Sequence, residues 1–102
     1  MMRQKQYYLY IMTTRHNTAL YTGVTNDLVR RVWEHRQGVG SGFTSRYQAK
    51  KLVCYEVYED QEIANQREKQ IKSGSRRKKV ELIESANPAW EDLYNDIAEE
   101  AD

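Results

Sequence analysis

Tyr21, Arg31 and His35 place a phenol, a guanidinium and an imidazole within 15 residues of one another. The stretch Tyr21-Thr-Gly-Val-Thr-Asn-Asp-Leu-Val-Arg-Arg-Val-Trp-Glu-His35 reads as a strand end, a Gly turn, a capped helix start and a helix. Arg31 and His35 stand at i and i+4, so they lie one above the other on a single helical face. An arginine can clamp a phosphate through two parallel N–H bonds. A tyrosine or histidine can take a proton from an attacking water. Tyr8, Tyr10 and Glu68 complete the reactive inventory. A lone carboxylate can anchor one hard cation such as Mg²⁺, with waters filling its shell. These groups fit one-metal cleavage of a phosphodiester. Other chemistries lack their residues: there is no supported Cys–His pair, no nucleophile-elbow serine and no carboxylate pair of the glycosidase kind.

Strands and helices must bring these groups together. Tyr7-Tyr-Leu-Tyr-Ile-Met-Thr13 is aromatic and β-branched and predicts a strand. Alternation puts Tyr8, Tyr10 and Met12 on one face, and Tyr7, Leu9 and Ile11 on the other. Ala19–Val24 predicts a second strand, and the short polar gap between the two predicts an antiparallel hairpin with His16 in its exposed turn. Thr25 or Asn26 is expected to cap the next helix, with Asp27 at the positive end of its dipole. Leu28, Val32 and Trp33 are expected to face the core, Arg31 and His35 to flank that stripe, and Arg30 and Glu34 to pair on the outside. Gln37–Tyr47, with glycines at 38, 40 and 42, predicts a flexible loop. It is no Walker A loop, because no Gly-Lys-Ser/Thr follows at the right spacing. Either it faces substrate, with Thr44 and Arg46 donating to phosphates, or it is a plain connection.

Lys51–Tyr58 predicts a third strand, with Leu52, Cys54, Glu56 and Tyr58 on one face and Val53, Tyr55 and Val57 on the other. Asp60 caps a helix that runs to about Ser73. Its apolar stripe is Ile63, Ala64 and Ile71, and Glu68 falls inside it. A carboxylate there is partly desolvated, which is costly unless it is paired or binds a metal. Arg31 is its obvious ion-pair partner in a purely structural reading. Arg67 and Lys72 point outward as candidates for phosphate contact. Ser75 opens another helix with four consecutive cations, Arg76, Arg77, Lys78 and Lys79. Basic charge there opposes the helix dipole and suits either a solvated face or a polyanion. Trp90, Leu93, Tyr94 and Ile97 follow Asn87-Pro88 at helical spacing.

A chain of 102 residues favours one domain, read as 1–98 with an acidic end at 99–102. Eight tyrosines and two tryptophans argue against disorder. A single cysteine excludes an internal disulfide and a cysteine zinc site. No apolar run is long enough to span a membrane, and the N-terminus lacks the apolar core of a signal peptide, so a cytoplasmic monomer is expected. The net charge of +1 conceals an asymmetry. Residues 1–79 hold all 16 Lys and Arg against 7 acids, and residues 80–102 hold 8 acids and no base. A basic body suits a nucleic acid, DNA first and RNA second. The acidic end either aids solubility or competes with that polyanion.

Tyr8-Leu-Tyr10, Tyr21-Thr-Gly23, Arg31, His35 and Glu68, in that order, resemble the GIY-YIG nuclease domain. The two triplets stand in for Gly-Ile-Tyr and Tyr-Ile-Gly, departing from them at Tyr8, Leu9 and Thr22. Arg67-Glu-Lys-Gln-Ile-Lys72 and Asn87-Pro-Ala-Trp90 resemble segments of its small stand-alone UPF0213 group. The resemblance covers roughly residues 6–90. It implies an α+β fold, a three-stranded antiparallel sheet flanked by helices, and a site at which Tyr10, Tyr21, Arg31, His35 and Glu68 converge. Glu68 would hold Mg²⁺ or Mn²⁺, Arg31 would bind the phosphate, and His35 would assist. Tyr10 or Tyr21 would be the general base, helped by nearby cations because a free tyrosine is a poor base at neutral pH, or would position the water. No small-molecule cofactor is implied. The implied activity is metal-dependent DNA endonuclease on structured, damaged or mobile-element DNA. The alternative is a non-catalytic nucleic-acid-binding module whose affinity comes from Arg30, Thr44, Arg46, Arg67, Lys72 and the Arg76–Lys79 run.

Overall fold

The computed structural model describes residues 5–39 and 42–100. The N-terminal Met1–Gln4, Gly40 and Ser41 of the glycine-rich stretch, and Ala101 and Asp102 of the acidic end lie outside them. The architecture is α+β, a three-stranded antiparallel sheet with five helices among the described residues. Strands β1 (Tyr7–Thr13), β2 (Leu20–Thr25) and β3 (Lys51–Tyr58) stand in the order β2-β1-β3. β1 is central because its side chains are apolar on both faces, and Leu9, Ile11 and Met12 are fully buried.

Two cores follow from that alternation. On one face Tyr10 and Met12 pack with Leu28, Val32, Leu52 and Ile97. On the other, Leu9 and Ile11 pack with Val53, Cys54, Ile71 and Ile83. Helices α1 (Leu28–Arg36) and α5 (Tyr94–Glu100) supply the first face; α3 (Gln61–Lys72) and α4 (Arg76–Ala86) supply the second. The expected period of β3 is broken. A register shift between Ile11 and Met12 pairs Ile11 with Cys54 and Met12 with Leu52, leaving Val53 as the extra residue. The bulge reverses side-chain parity beyond it, so Leu52 and Tyr55 share a face that simple alternation divides.

Caps set the helix limits. Asp27, not Thr25 or Asn26, caps α1 by accepting from the Arg30 amide. Asp60 caps α3 through the Glu62 and Ile63 amides, and Ser75 caps α4 through the Lys78 amide. Three segments depart from expectation. Gly42–Tyr47 is a short helix, α2, inside the stretch read as a loop. Trp90 is not helical: it adopts φ 56° and packs with the α3–α4 core, while Leu93, Tyr94 and Ile97 pack on the opposite face. Between them the chain rounds the β3 edge, held by Asn87 Nδ2 to Val53 O (3.1 Å), the Leu52 amide to Asp92 Oδ1 (3.2 Å) and the Leu93 amide to Leu52 O (2.8 Å). Glu99 and Glu100, read as acidic end, belong to α5.

Candidate active site

β1 and β2 position the tyrosines by their register. Tyr10 pairs with Gly23, and Met12 pairs with Tyr21. The Tyr10 ring lies flat against Gly23, where an added Cβ would stand 2.7 Å from its hydroxyl oxygen. Gly23 is therefore required for space and not for a positive φ. The absent side chain lets a buried phenol cross β2 and reach α1.

α1 answers with His35. Its Nε2 stands 2.9 Å from the Tyr10 hydroxyl, and its Nδ1 stands 2.9 Å from the Thr44 hydroxyl of α2. The Tyr21 ring closes the cluster, 5.6 Å from the His35 ring and 6.2 Å from that of Tyr10. The Tyr21 phenol also raises the pKa of Tyr10 from close by. The hydrogen bonds run Thr44, His35, Tyr10, with Tyr21 beside their end. His35 was expected at the edge of the packed face, yet it is 1% exposed. The formation of α2 is the reason, because it covers the imidazole that a loop would have left open. Burial first, then the Arg31 charge, holds the imidazole below its ordinary 6.5. His35 is therefore neutral at neutral pH.

Tyr10 departs from expectation in the opposite sense. Burial and the adjacent Tyr21 phenol push its pKa well above the ordinary value, and the opposing effect of Arg31 is smaller. Nearby cations do not turn Tyr10 into a tyrosinate base; it is a neutral phenol that can donate and accept.

Arg31 and Glu68 both act electrostatically on the Tyr10 hydroxyl, so they border the same cluster. They do not pair with each other as the structural reading expected. Glu68 is half-buried and pairs with Lys72 at 3.0 Å. The residue four positions on along α3 is nearer than any group on α1. Arg31 leans on Glu34 at 3.5 Å, while its Nε is buried and has no acceptor. A buried guanidinium N–H without a partner is costly, and an oxygen ligand would satisfy it. Among the described residues no three His, Cys, Asp or Glu converge into a metal cage. Mg²⁺ commonly takes one or two carboxylates, several waters and substrate phosphates, so Glu68 alone fits that ion as an anchor.

The residues expected to touch nucleic acid divide. Thr44 is 1% exposed behind His35 and cannot reach a phosphate. Its position in α2 had no signature, since six residues are too few to show a period. Arg67 is no outward cation: Nε and Nη2 grip Glu56 at 2.9 and 3.0 Å. Glu56 pairs with Leu9 and shares the face of Cys54 and Tyr58, which α3 covers. Ile63, expected in the α3 stripe, is 51% exposed. Arg76 braces the hairpin turn through Asn17 O at 2.7 Å, and Arg77 pairs with Glu81 at 3.3 Å. Lys72 is held by Glu68. Arg30 is outward and pairs with Glu34, Arg46 is exposed over the Tyr47 ring, and Lys78 is exposed with Lys79 half-buried beside it. Trp33, expected in the core, is 50% exposed.

Residues 6–81 match the model of the GIY-YIG catalytic domain. A UPF0213 protein of Clostridium perfringens is 36% identical over 90 residues, covering 88% of this chain and 96% of that one. A UPF0213 protein of Haloquadratum walsbyi is 40% identical over 78 residues, covering 76% and 86%. The solution NMR structure of a UPF0213 protein from Bacillus halodurans aligns with a TM-score of 0.55 at 31% identity, over 86% of this chain and 93% of that one. Tyr10 laid against Gly23, the neighbouring Tyr21, the arginine and histidine of α1 and the glutamate of α3 thus sit in a chain that belongs to the GIY-YIG catalytic-domain family, within its UPF0213 group.

Proposed function

We propose that the chain is a metal-assisted endonuclease that hydrolyses a DNA phosphodiester bond held at Arg31. Membership of a nuclease family supports the reaction class. The observation that carries the reading is the guanidinium of Arg31, 39% exposed beside the tyrosine–histidine chain. Its accessible N–H groups would bind a phosphate and spread the growing negative charge over the guanidinium.

The residues of the chain then move one proton. A water held by the half-buried Tyr21 attacks phosphorus, and the ester bond on the far side breaks. Tyr21 accepts the water proton as it passes its own to Tyr10, and Tyr10 passes one to His35 Nε2. Tyr10 stays neutral throughout, which agrees with its raised pKa. The step requires His35 to carry its resting proton on Nδ1, donated to the Thr44 hydroxyl. Arg31 weakens His35 as a base, and a bound phosphate offsets that charge. The imidazole therefore gains basicity when substrate arrives. Glu68 would hold Mg²⁺ or Mn²⁺, which when bound stabilises the departing oxygen. Its ion pair with Lys72 is half-exposed and worth only about 0.3–0.5 kcal/mol, so it yields readily to a cation.

The test is a nicking assay on duplex, branched and single-stranded DNA with Mg²⁺, Mn²⁺ or chelator. Cleavage should need metal, and Glu68→Gln and Arg31→Ala should abolish it while leaving thermal unfolding nearly unchanged. Wild-type protein that binds DNA with a steep salt dependence and never cuts it would establish the non-catalytic reading instead. Failure to bind at low salt would sink both.

A further inference from the structure

Beside the cluster runs a groove that the reaction does not use. It lies between the start of β1, the end of β3, α1 and α5, and encloses about 1210 Å³. Its walls carry the aromatic side chains Tyr8, Trp33, Tyr55 and Tyr94, with Lys5 and Arg30 among them. Trp33 is 50% exposed and Val57 47%, on helix and strand faces where a polar residue would fold equally well. The one carboxylate in the lining, Asp27, is engaged in capping α1.

We propose that this groove holds the unpaired bases of a DNA single strand whose backbone continues toward the cluster. Three observations select that occupant. The volume exceeds the usual span of small-molecule sites, roughly 300–1,000 Å³, so a polymer suits it better. Aromatic faces flanked by cations are the means by which proteins hold single strands, since every base has a face to stack. Duplex bases are already stacked on one another and gain nothing from such a surface. The groove also lies on the sheet face that carries the cluster. Tyr8, in its wall, and Tyr10 share one face of β1, two residues or about 6.6 Å apart. The assignment of Arg31 as the point of cleavage rests on the proposed nuclease function; the binding does not.

The experiment measures binding of fluorescein-labelled oligothymidylate and of a duplex of equal length in chelator, by anisotropy, with tryptophan quenching read in parallel. Wild-type protein should prefer the single strand. Trp33→Ala should weaken single-strand binding about 5- to 150-fold, as loss of one stacked base does, and leave duplex binding unchanged. Trp33→Tyr should recover most of the loss, and thermal melting should confirm that both variants fold. Arg30→Ala should lower the salt slope by about one. Equal loss on both DNAs, or no loss on either, overturns the proposal. So does reversible self-association that Trp33→Ala abolishes, because the groove would then be an interface between copies. Single-strand binding that depends on Trp33 without any nicking would overturn the nuclease reading alone. Nicking indifferent to Trp33 would overturn the groove alone.

Discussion

Replacing Gly23 by alanine drives a methyl group into the Tyr10 ring. The added carbon would stand 2.7 Å from Oη, 2.8 Å from Cζ and 3.1 Å from Cε1. Ordinary contact begins at 3.4 Å, so the phenol must retreat by 3.4 − 2.7, or about 0.7 Å. It has little room, being 1% exposed with its hydroxyl 2.9 Å from His35. Overpacking of this kind costs about 1–3 kcal/mol. Disturbing the buried hydrogen bond adds about 1 kcal/mol. The stiffer unfolded chain returns about 0.4–1 kcal/mol. The net expectation is a loss of about 1–3 kcal/mol, or roughly 5–20 °C in melting temperature for a domain near this size. Nicking should fall more steeply than stability, because the displaced atom is the central link of the proton chain. Urea unfolding of Gly23→Ala, Tyr10→Phe and the double variant tests the cause. Both single variants disturb the same Tyr10–His35 hydrogen bond, which the double variant can lose only once, so it should be less damaged than the two single losses predict, by about 0.5–1 kcal/mol. A Gly23→Ala protein as stable and active as wild type, or strictly additive losses, would refute the account.

Other outcomes follow from the same geometry. Thr44→Val leaves His35 Nδ1 buried without a partner and should cost about 1–3 kcal/mol; Thr44→Ser should restore both stability and the His35 ring resonances seen by NMR. His35 is held below 6.5 in the folded chain, so under that pH the unfolded chain binds the extra proton. Stability present above 6.5 should therefore decline as pH falls from 6.5 toward the folded value, and His35→Gln should flatten that part of a melting-temperature profile. Nicking should share this acid limb, since the proton chain needs a neutral imidazole. Arg67→Ala breaks the two-pronged grip on Glu56 and should lower stability by about 1–2 kcal/mol, after discount for partial exposure. DNA affinity should not change, and a large loss of affinity would return Arg67 to the nucleic-acid surface.

Local rules were legible wherever a few neighbouring residues decide the outcome. β1 and β3 carry their limits in aromatic and β-branched runs, and Asp60 and Ser75 mark their helices because each side chain caps amides two or three residues away. The spacing of Arg31 and His35 established a shared helical face, and the ordered tyrosines, Gly23 and Glu68 established the family before any coordinate was needed. A bulge, by contrast, depends on the partner strand, and the one opposite Ile11 and Met12 put Leu52 on the face of Tyr55 and away from Cys54. Trp90 obeys helical spacing with Leu93 and Ile97 but lies on the other side of the sheet, because the chain rounds the β3 edge between them. Tertiary structure alone decided that Thr44 stands behind His35 and that Trp33 faces outward. Residue types and spacing thus determined which groups this protein has for phosphate chemistry. Long-range packing decided which are buried, what each one touches and hence where its proton resides, because desolvation and hydrogen bonding arise from atoms far away in the chain.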